Sequence, residues 1–187
     1  MKKRETNLKD CYILEPKRFG DKRGYFESVT IEQLQEMGFK EIVQINHSKS
    51  TKGTLRGLHF QKNPYSQAKC ICCMQGAVLD VVVDLRLNSE TYGKWTSVIL
   101  TPENGKMLYV PRGFAHGFPS LKEDTIFEYY IDNKYMPEYE AGIIWNDSDI
   151  NIDWQLEKYE IQNPILSEKD QKQYTLKNAP NYFKEVL

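Results

Sequence analysis

The stretch from Leu55 to Cys73 carries the two side chains best suited to act together chemically. Lys62-Asn63-Pro64-Tyr65-Ser66 is turn-forming sequence between two alternating runs, so the stretch reads as a hairpin. Pairing Gln61 with Gln67 then sets His59 opposite Lys69 on one face, with Cβ atoms roughly 5 Å apart. A neighbouring cation disfavours imidazolium, which keeps His59 neutral and able to accept a proton. A base at carbon and a cation at oxygen are what proton abstraction next to a carbonyl requires. The same two residues also fit a half-buried, hydrogen-bonded histidine and a lysine that snorkels to the surface.

Tyr129 is a candidate acid, because a phenol is protonated at neutral pH and can return a proton to a carbanion. Alternation along Thr125–Ile131 ensures that either Tyr129 or Tyr130 points inward. Arg23, Arg56, Lys69 and Lys169 are candidate contacts for an anionic ligand, since guanidinium and ammonium groups suit diphosphate oxygens. Composition does not separate them from ordinary surface charge. Ser167-Glu168-Lys169-Asp170 has the form of a capping motif, so Asp170 favours a helix start; a carboxylate there can also orient His59.

These side chains need a frame. The 187 residues fit one domain with a real hydrophobic core. With 25 basic and 26 acidic residues the net charge is -1, which gives no overall field to draw in nucleic acid or an anionic membrane. The N-terminus carries no apolar stretch and no run approaches the roughly 20 apolar residues that span a bilayer, so a cytoplasmic location is expected. Cys11, Cys70, Cys72 and Cys73 match neither paired zinc spacing nor a disulfide framework, and read as packed, reduced thiols.

Short alternating runs between turn signals predict an all-β sandwich or barrel. The runs are Cys11–Leu14, Gly24–Val29, Ile42–Ser48, Leu55–Gln61, Lys69–Met74, Val78–Leu85, Trp95–Leu100, Lys106–Val110, Ala115–Phe118 and Thr125–Ile131. One helix is expected over residues 31 to 37, capped by Thr30 and Gln33 and stopped at Gly38. In Val78–Leu85 the odd positions form an apolar face, while Asp80 and Asp84 on the other face are read as solvent-facing ahead of bordering a polar cavity. The polar segment 155–187 is expected to wrap the sheets as a short helix and an irregular tail.

Arg56-Gly57-Leu58-His59-Phe60-Gln61 resembles the dTDP-4-dehydrorhamnose 3,5-epimerases of deoxysugar biosynthesis. The resemblance extends through Phe19–Ser28, Gln44–Ser50, Val81–Arg86 with Ser89–Gly93, Val110–Phe118 and Tyr135–Asp147. It implies a cupin-type jelly roll with short peripheral helices, one epimerase domain over 1–187, a homodimer, and neither metal nor organic cofactor. His59 resembles the family's proton acceptor, Asp170 its dyad partner, Tyr129 its proton donor and Lys69 the cation near the keto oxygen. Phe19, Arg23, Glu27, Gln44, Asn46, Arg56, Lys69, His116, Tyr135, Glu140 and Lys169 resemble its contacts to a nucleotide-linked 4-keto sugar.

Where the family often has Gln-x-Lys-Leu-Val, this chain has Gln67-Ala68-Lys69-Cys70-Ile71, which keeps the lysine. Lys106-Met107 and Pro119 also depart and bear on pocket shape. Rival readings are epimerases of C3 or C5 alone, or of another nucleotide-linked 4-keto sugar such as a GDP-linked heptose. More distant rivals are a metal-dependent cupin using His59 and His116, and a non-catalytic sugar-nucleotide binding module.

Overall fold

Period-two alternation in Val78–Asp84 divides its side chains between two apolar layers, and this strand is buried on both faces. Leu79, Val81 and Val83 enter one cluster, Val78 and Val82 another. Burying each such side chain contributes about 1.5–3 kcal/mol. The computed structural model that shows this describes residues 1–184.

In chain order the strands are β1 (Lys2–Glu5), β2 (Tyr12–Glu15), β3 (Arg18–Asp21) and β4 (Gly24–Glu27). Helix α1 (Ile31–Gln35) follows, then β5 (Gln44–Ser50), β6 (Leu55–Gln61), β7 (Lys69–Gln75) and β8 (Val78–Asp84). Next come β9 (Trp95–Leu100), β10 (Met107–Val110), β11 (Phe114–Pro119), β12 (Thr125–Ile131) and β13 (Glu140–Ile143). One sheet has the order β1-β2-β10-β7-β12-β5, a second β13-β6-β11-β8-β9, and β3-β4 form a separate ribbon. The two larger sheets make the expected sandwich, with Ile71, Leu108, Val110 and Phe127 of one packed against Val78, Val82, Val98 and Phe118 of the other.

The outer face of the five-stranded sheet is covered by the C-terminal chain, through Trp154, Ile161 and Phe183, with Leu166 and Leu176 at the edge. This C-terminal chain contains a 3-10 turn at Glu157–Tyr159, and residues 185–187 lie outside the described ones. Helix α1 covers part of the six-stranded sheet through Leu34, and Phe39 just beyond it packs on Tyr109. Its capping box forms as expected from Thr30 and Gln33, and Gly38 takes a left-handed φ of 96°. All four cysteines are free thiols; Cys70 and Cys72 face outward, and Cys73 faces the sandwich interior.

The structure corrects two expectations. Residues 55 to 73 are not a hairpin: β6 pairs with β11 and β13, and β7 with β10 and β12, so the two strands belong to opposite sheets. The link leaves the ladder because the Gln61 side-chain amide donates to Tyr65 O at 2.6 Å and Lys134 O at 2.9 Å, while Gln61 Oε1 accepts from Met136 N. The polar face of β8 is not solvent-facing either. Asp80 and Asp84 are fully buried, Asp80 against His116 and Asp84 against Arg86, Ser89 and Thr91.

Candidate active site

Near one end of the sandwich the apolar packing between the sheets gives way to a cavity of about 250 Å³. His59, Arg56 and His116 line it from the five-stranded sheet, and Lys69, Tyr129 and Asn46 from the six-stranded one. His59 and Lys69 thus meet across the interior, not side by side on one sheet.

A bulge makes this possible on β6. Residues three apart point to opposite sides of a regular strand, yet Arg56 and His59 both enter the cavity. The register against β11 runs His116 to His59 and Phe118 to Arg56, which inserts one extra residue in β6 opposite Gly117. Such a bulge re-aims a side chain. Gly117 is required there, because a Cβ would stand 2.7 Å from Arg56 O and 2.8 Å from Gly57 O, both backbone atoms.

The bulge also frees the Gly57 N–H, which donates to Asp170 Oδ1 at 3.3 Å. The same oxygen accepts from His59 Nε2 at 2.5 Å. Burial raises the affinity of Asp170 for a proton, but its hydrogen bonds from His59, Ser167 and Gly57 outweigh that and hold the carboxyl below the usual range. An ionised carboxylate only accepts, so His59 Nε2 carries the hydrogen and Nδ1 is the free ring nitrogen. Ser167-Glu168-Lys169-Asp170 closes as a turn without nucleating a helix.

Lys69 is set in place by the residue before it: Ala68 N donates to Asp132 Oδ1 at 2.8 Å, and Arg112 pairs with that carboxylate at 2.6 Å. Desolvation lowers the Lys69 ammonium to about 8, opposed by Asp80 and Glu140, so it is mostly cationic at neutral pH. Of the tyrosine pair, Tyr129 is the inward member, and burial raises its phenol above the ordinary value. Tyr130 points to the outer face.

His116 donates or accepts at Asp80 Oδ1 over 2.5 Å and stacks on Phe127, with centroids 5.9 Å apart. Burial holds its imidazole below the ordinary value, against the pull of Asp80. Sequence reading did not assign Asp80 to the site; its position on the inward face of β8 was the available signal. At the mouth, Glu140 accepts from Tyr135 Oη at 2.8 Å and pairs with Lys169 at 2.7 Å. Burial opposes ionisation of Glu140, but Lys169 and Tyr135 win and keep it below the usual carboxylate range. Arg56 reaches across to Ser50 Oγ at 3.3 Å, and Gln44 Nε2 donates to Asn46 Oδ1 at 2.6 Å.

Three of the expected contacts lie elsewhere. Phe19 and Arg23 are exposed on the β3-β4 ribbon, Arg23 paired with Asp21 at 2.5 Å. Glu27 accepts from Arg18 at 2.6 Å and borders a separate cavity with Tyr25, Cys72 and Tyr130. Among the described residues, no three His, Cys, Asp or Glu side chains converge as a metal site.

A match to dTDP-4-dehydrorhamnose 3,5-epimerase spans residues 5–178. The chain belongs to the dTDP-4-dehydrorhamnose 3,5-epimerase family. A relative of that description from Shigella flexneri is 50% identical over 169 residues, covering 89% of this chain and 91% of the relative. The crystal structure of the dTDP-4-dehydrorhamnose 3,5-epimerase from Elizabethkingia anophelis superposes with a TM-score of 0.88 at 49% identity, over 95% of this chain and 97% of that one. A Legionella pneumophila 3,5-epimerase, solved in complex with dTDP-4-keto-L-rhamnose, gives a TM-score of 0.89 at 38% identity, over 96% and 94% of the two chains. The sandwich is thus the cupin-like fold of these epimerases, as the sequence resemblance implies.

Proposed function

We propose that this epimerase-family chain converts dTDP-4-dehydro-6-deoxyglucose to dTDP-4-dehydrorhamnose, with His59 as base, Tyr129 as acid and Lys69 as the cation at the keto oxygen. The observation that carries the reading is that His59 and Tyr129 enter one cavity from opposite sheets. A sugar ring lying between the sheets presents one face to each. Inversion needs that arrangement, since a single base tends to return the proton to the face it came from.

The 4-keto group acidifies the hydrogens on C3 and C5. His59 takes one of them; its new positive charge is balanced by Asp170. The electron pair moves onto the keto oxygen, where the Lys69 ammonium stabilises the enolate. Tyr129 then gives its phenolic proton to the same carbon from the other side. Exchange with solvent removes the proton from His59 and restores Tyr129, and the cycle repeats at the second carbon.

Arg56 and Lys169 suit the diphosphate, while Gln44, Asn46, His116, Tyr135 and Glu140 serve as further contacts to the nucleotide-linked sugar. Phe19, Arg23 and Glu27 stand outside this cavity, and we assign them to the cavity of a second copy in a homodimer. The whole chain 1–187 acts as one domain, and we place it in the cytoplasm; no described helix is long and apolar enough to cross a membrane.

Incubation with dTDP-4-dehydro-6-deoxyglucose in D2O tests the function. The reading expects deuterium at both C3 and C5, with the rhamno product formed. Label at one carbon alone would reduce the chain to a monoepimerase, and binding without label would make it a sugar-nucleotide binding module.

A further inference from the structure

The dyad of His59 and Asp170 has a third member that the proton chemistry above does not use. Aspartate χ2 is a broad torsion, so a carboxylate keeps one orientation only where its neighbours hold it. Asp170 is buried, 4% exposed, and its Oδ1 is shared by His59 Nε2 and the Gly57 N–H. Its other oxygen, Oδ2, accepts from Ser167 Oγ at 2.7 Å. Ser167 Oγ in turn accepts from Asp170 N at 3.1 Å, so the hydroxyl is held at both ends.

The backbone around Ser167 is fixed as well. Ile165 docks beside the start of β6, with Leu55 N to Ile165 O at 2.9 Å and Ile165 N to Gly53 O at 2.8 Å. Leu166 packs on the outer core. Ser167 also lines the cavity. Two residues of docked chain therefore carry a hydroxyl from the core to the far side of the carboxylate that orients the base.

We propose that Ser167 is a positioning residue for catalysis: its hydroxyl locks the Asp170 carboxylate in the plane that aims His59 into the cavity. The inference rests on His59 being the base. Without the hydroxyl, Oδ2 loses its donor and the carboxylate is free to turn about χ2. The first proton taken up by the dyad then binds more tightly, because the stabilising hydrogen bond to the unprotonated form has gone. Glu140 and His116 also act on His59 through space, Lys69 and Tyr129 face it across the cavity, and all four are unchanged by the substitution.

Steady-state kinetics of Ser167→Ala and Ser167→Thr against the wild type test this. A lost hydrogen bond to a charged group implies that kcat of the alanine variant falls about tenfold or more, with KM unchanged. The acid limb of its kcat/KM profile moves to higher pH, and the threonine variant restores both. An alanine variant with wild-type kcat and acid limb would overturn the proposal. So would equal losses in both variants with a lowered thermal midpoint, which would mark Ser167 as part of the turn alone. If the wild type neither exchanges nor inverts, the proposed function fails before this test begins.

Discussion

Replacing Asp170 by asparagine separates the charge of the dyad from its shape. The side chain is buried, and the substitution is nearly isosteric. Its orientation is determined by its surroundings: the position of Oδ1 receives two donors, His59 Nε2 and the Gly57 N–H, so the carboxamide oxygen must stand there. The new NH2 then faces Ser167 Oγ, which can accept. The His59 hydrogen bond survives as a neutral one. Hydrogen bonds to charged groups contribute about 1.5–3 kcal/mol against about 0.5–1.5 for neutral pairs, a difference of about 1–2 kcal/mol. In the proposed mechanism His59 gains its positive charge as it takes the substrate proton, so the loss falls on the transition state and not on binding. Asp170→Asn should therefore lower kcat roughly 5- to 30-fold at an unchanged KM. Deuterium uptake at C3 and C5, followed by NMR in D2O across a range of substrate concentrations, measures both. A kcat within twofold of wild type, or a loss confined to KM, would refute the argument that the carboxylate balances a charge formed during the reaction.

Lys69→Met should abolish most of the turnover yet raise the thermal midpoint at neutral pH, because it removes a desolvated cation. The wild-type lysine is lowered from 10.5 to about 8. Between those values the unfolded chain binds more protons, so the wild type gains stability as pH rises; the midpoints of the two proteins should converge through that window. Gly117→Ala places a Cβ within 2.8 Å of two β6 carbonyl oxygens and should cost about 1–3 kcal/mol in urea denaturation. It should also reduce activity by pressing on the bulge that aims His59.

Much of the frame was legible in the sequence. The bounds of β6, β9 and β12 match the alternating runs residue for residue. The strands that sequence reading did not find lack that signal. All four residues of β1 are exposed, and it is held at the sheet edge by charge pairs such as Arg4 with Glu15 at 2.8 Å. Strand β3 belongs to a two-stranded ribbon with little buried surface. Strand β13 is four residues long and begins directly after a 3-10 turn.

Several of the side chains named from the sequence line one cavity, but how they come together there was not legible. Alternation says which side of its own strand a residue takes, but not which sheet that strand joins; His59 and Lys69 converge although the hairpin does not exist. The bulge is invisible to strict alternation, and only Gly57 and Gly117 hint at it. Asp80 reads as a polar face because its partner His116 comes 36 residues later. The roles of Tyr135 and Glu140 came from resemblance, while Lys169 was also a candidate anion contact by its chemistry, and the structure joins the three in one cluster at the mouth.

One paired measurement tests the proposed division of labour between the two walls of the cavity. In D2O with dTDP-4-dehydro-6-deoxyglucose, His59→Ala should take up no deuterium at C3 or C5. Tyr129→Phe should still exchange those hydrogens, through reversible removal by His59, while failing to invert the carbons. Deuterium uptake and inversion at wild-type rates in the His59→Ala variant would contradict it.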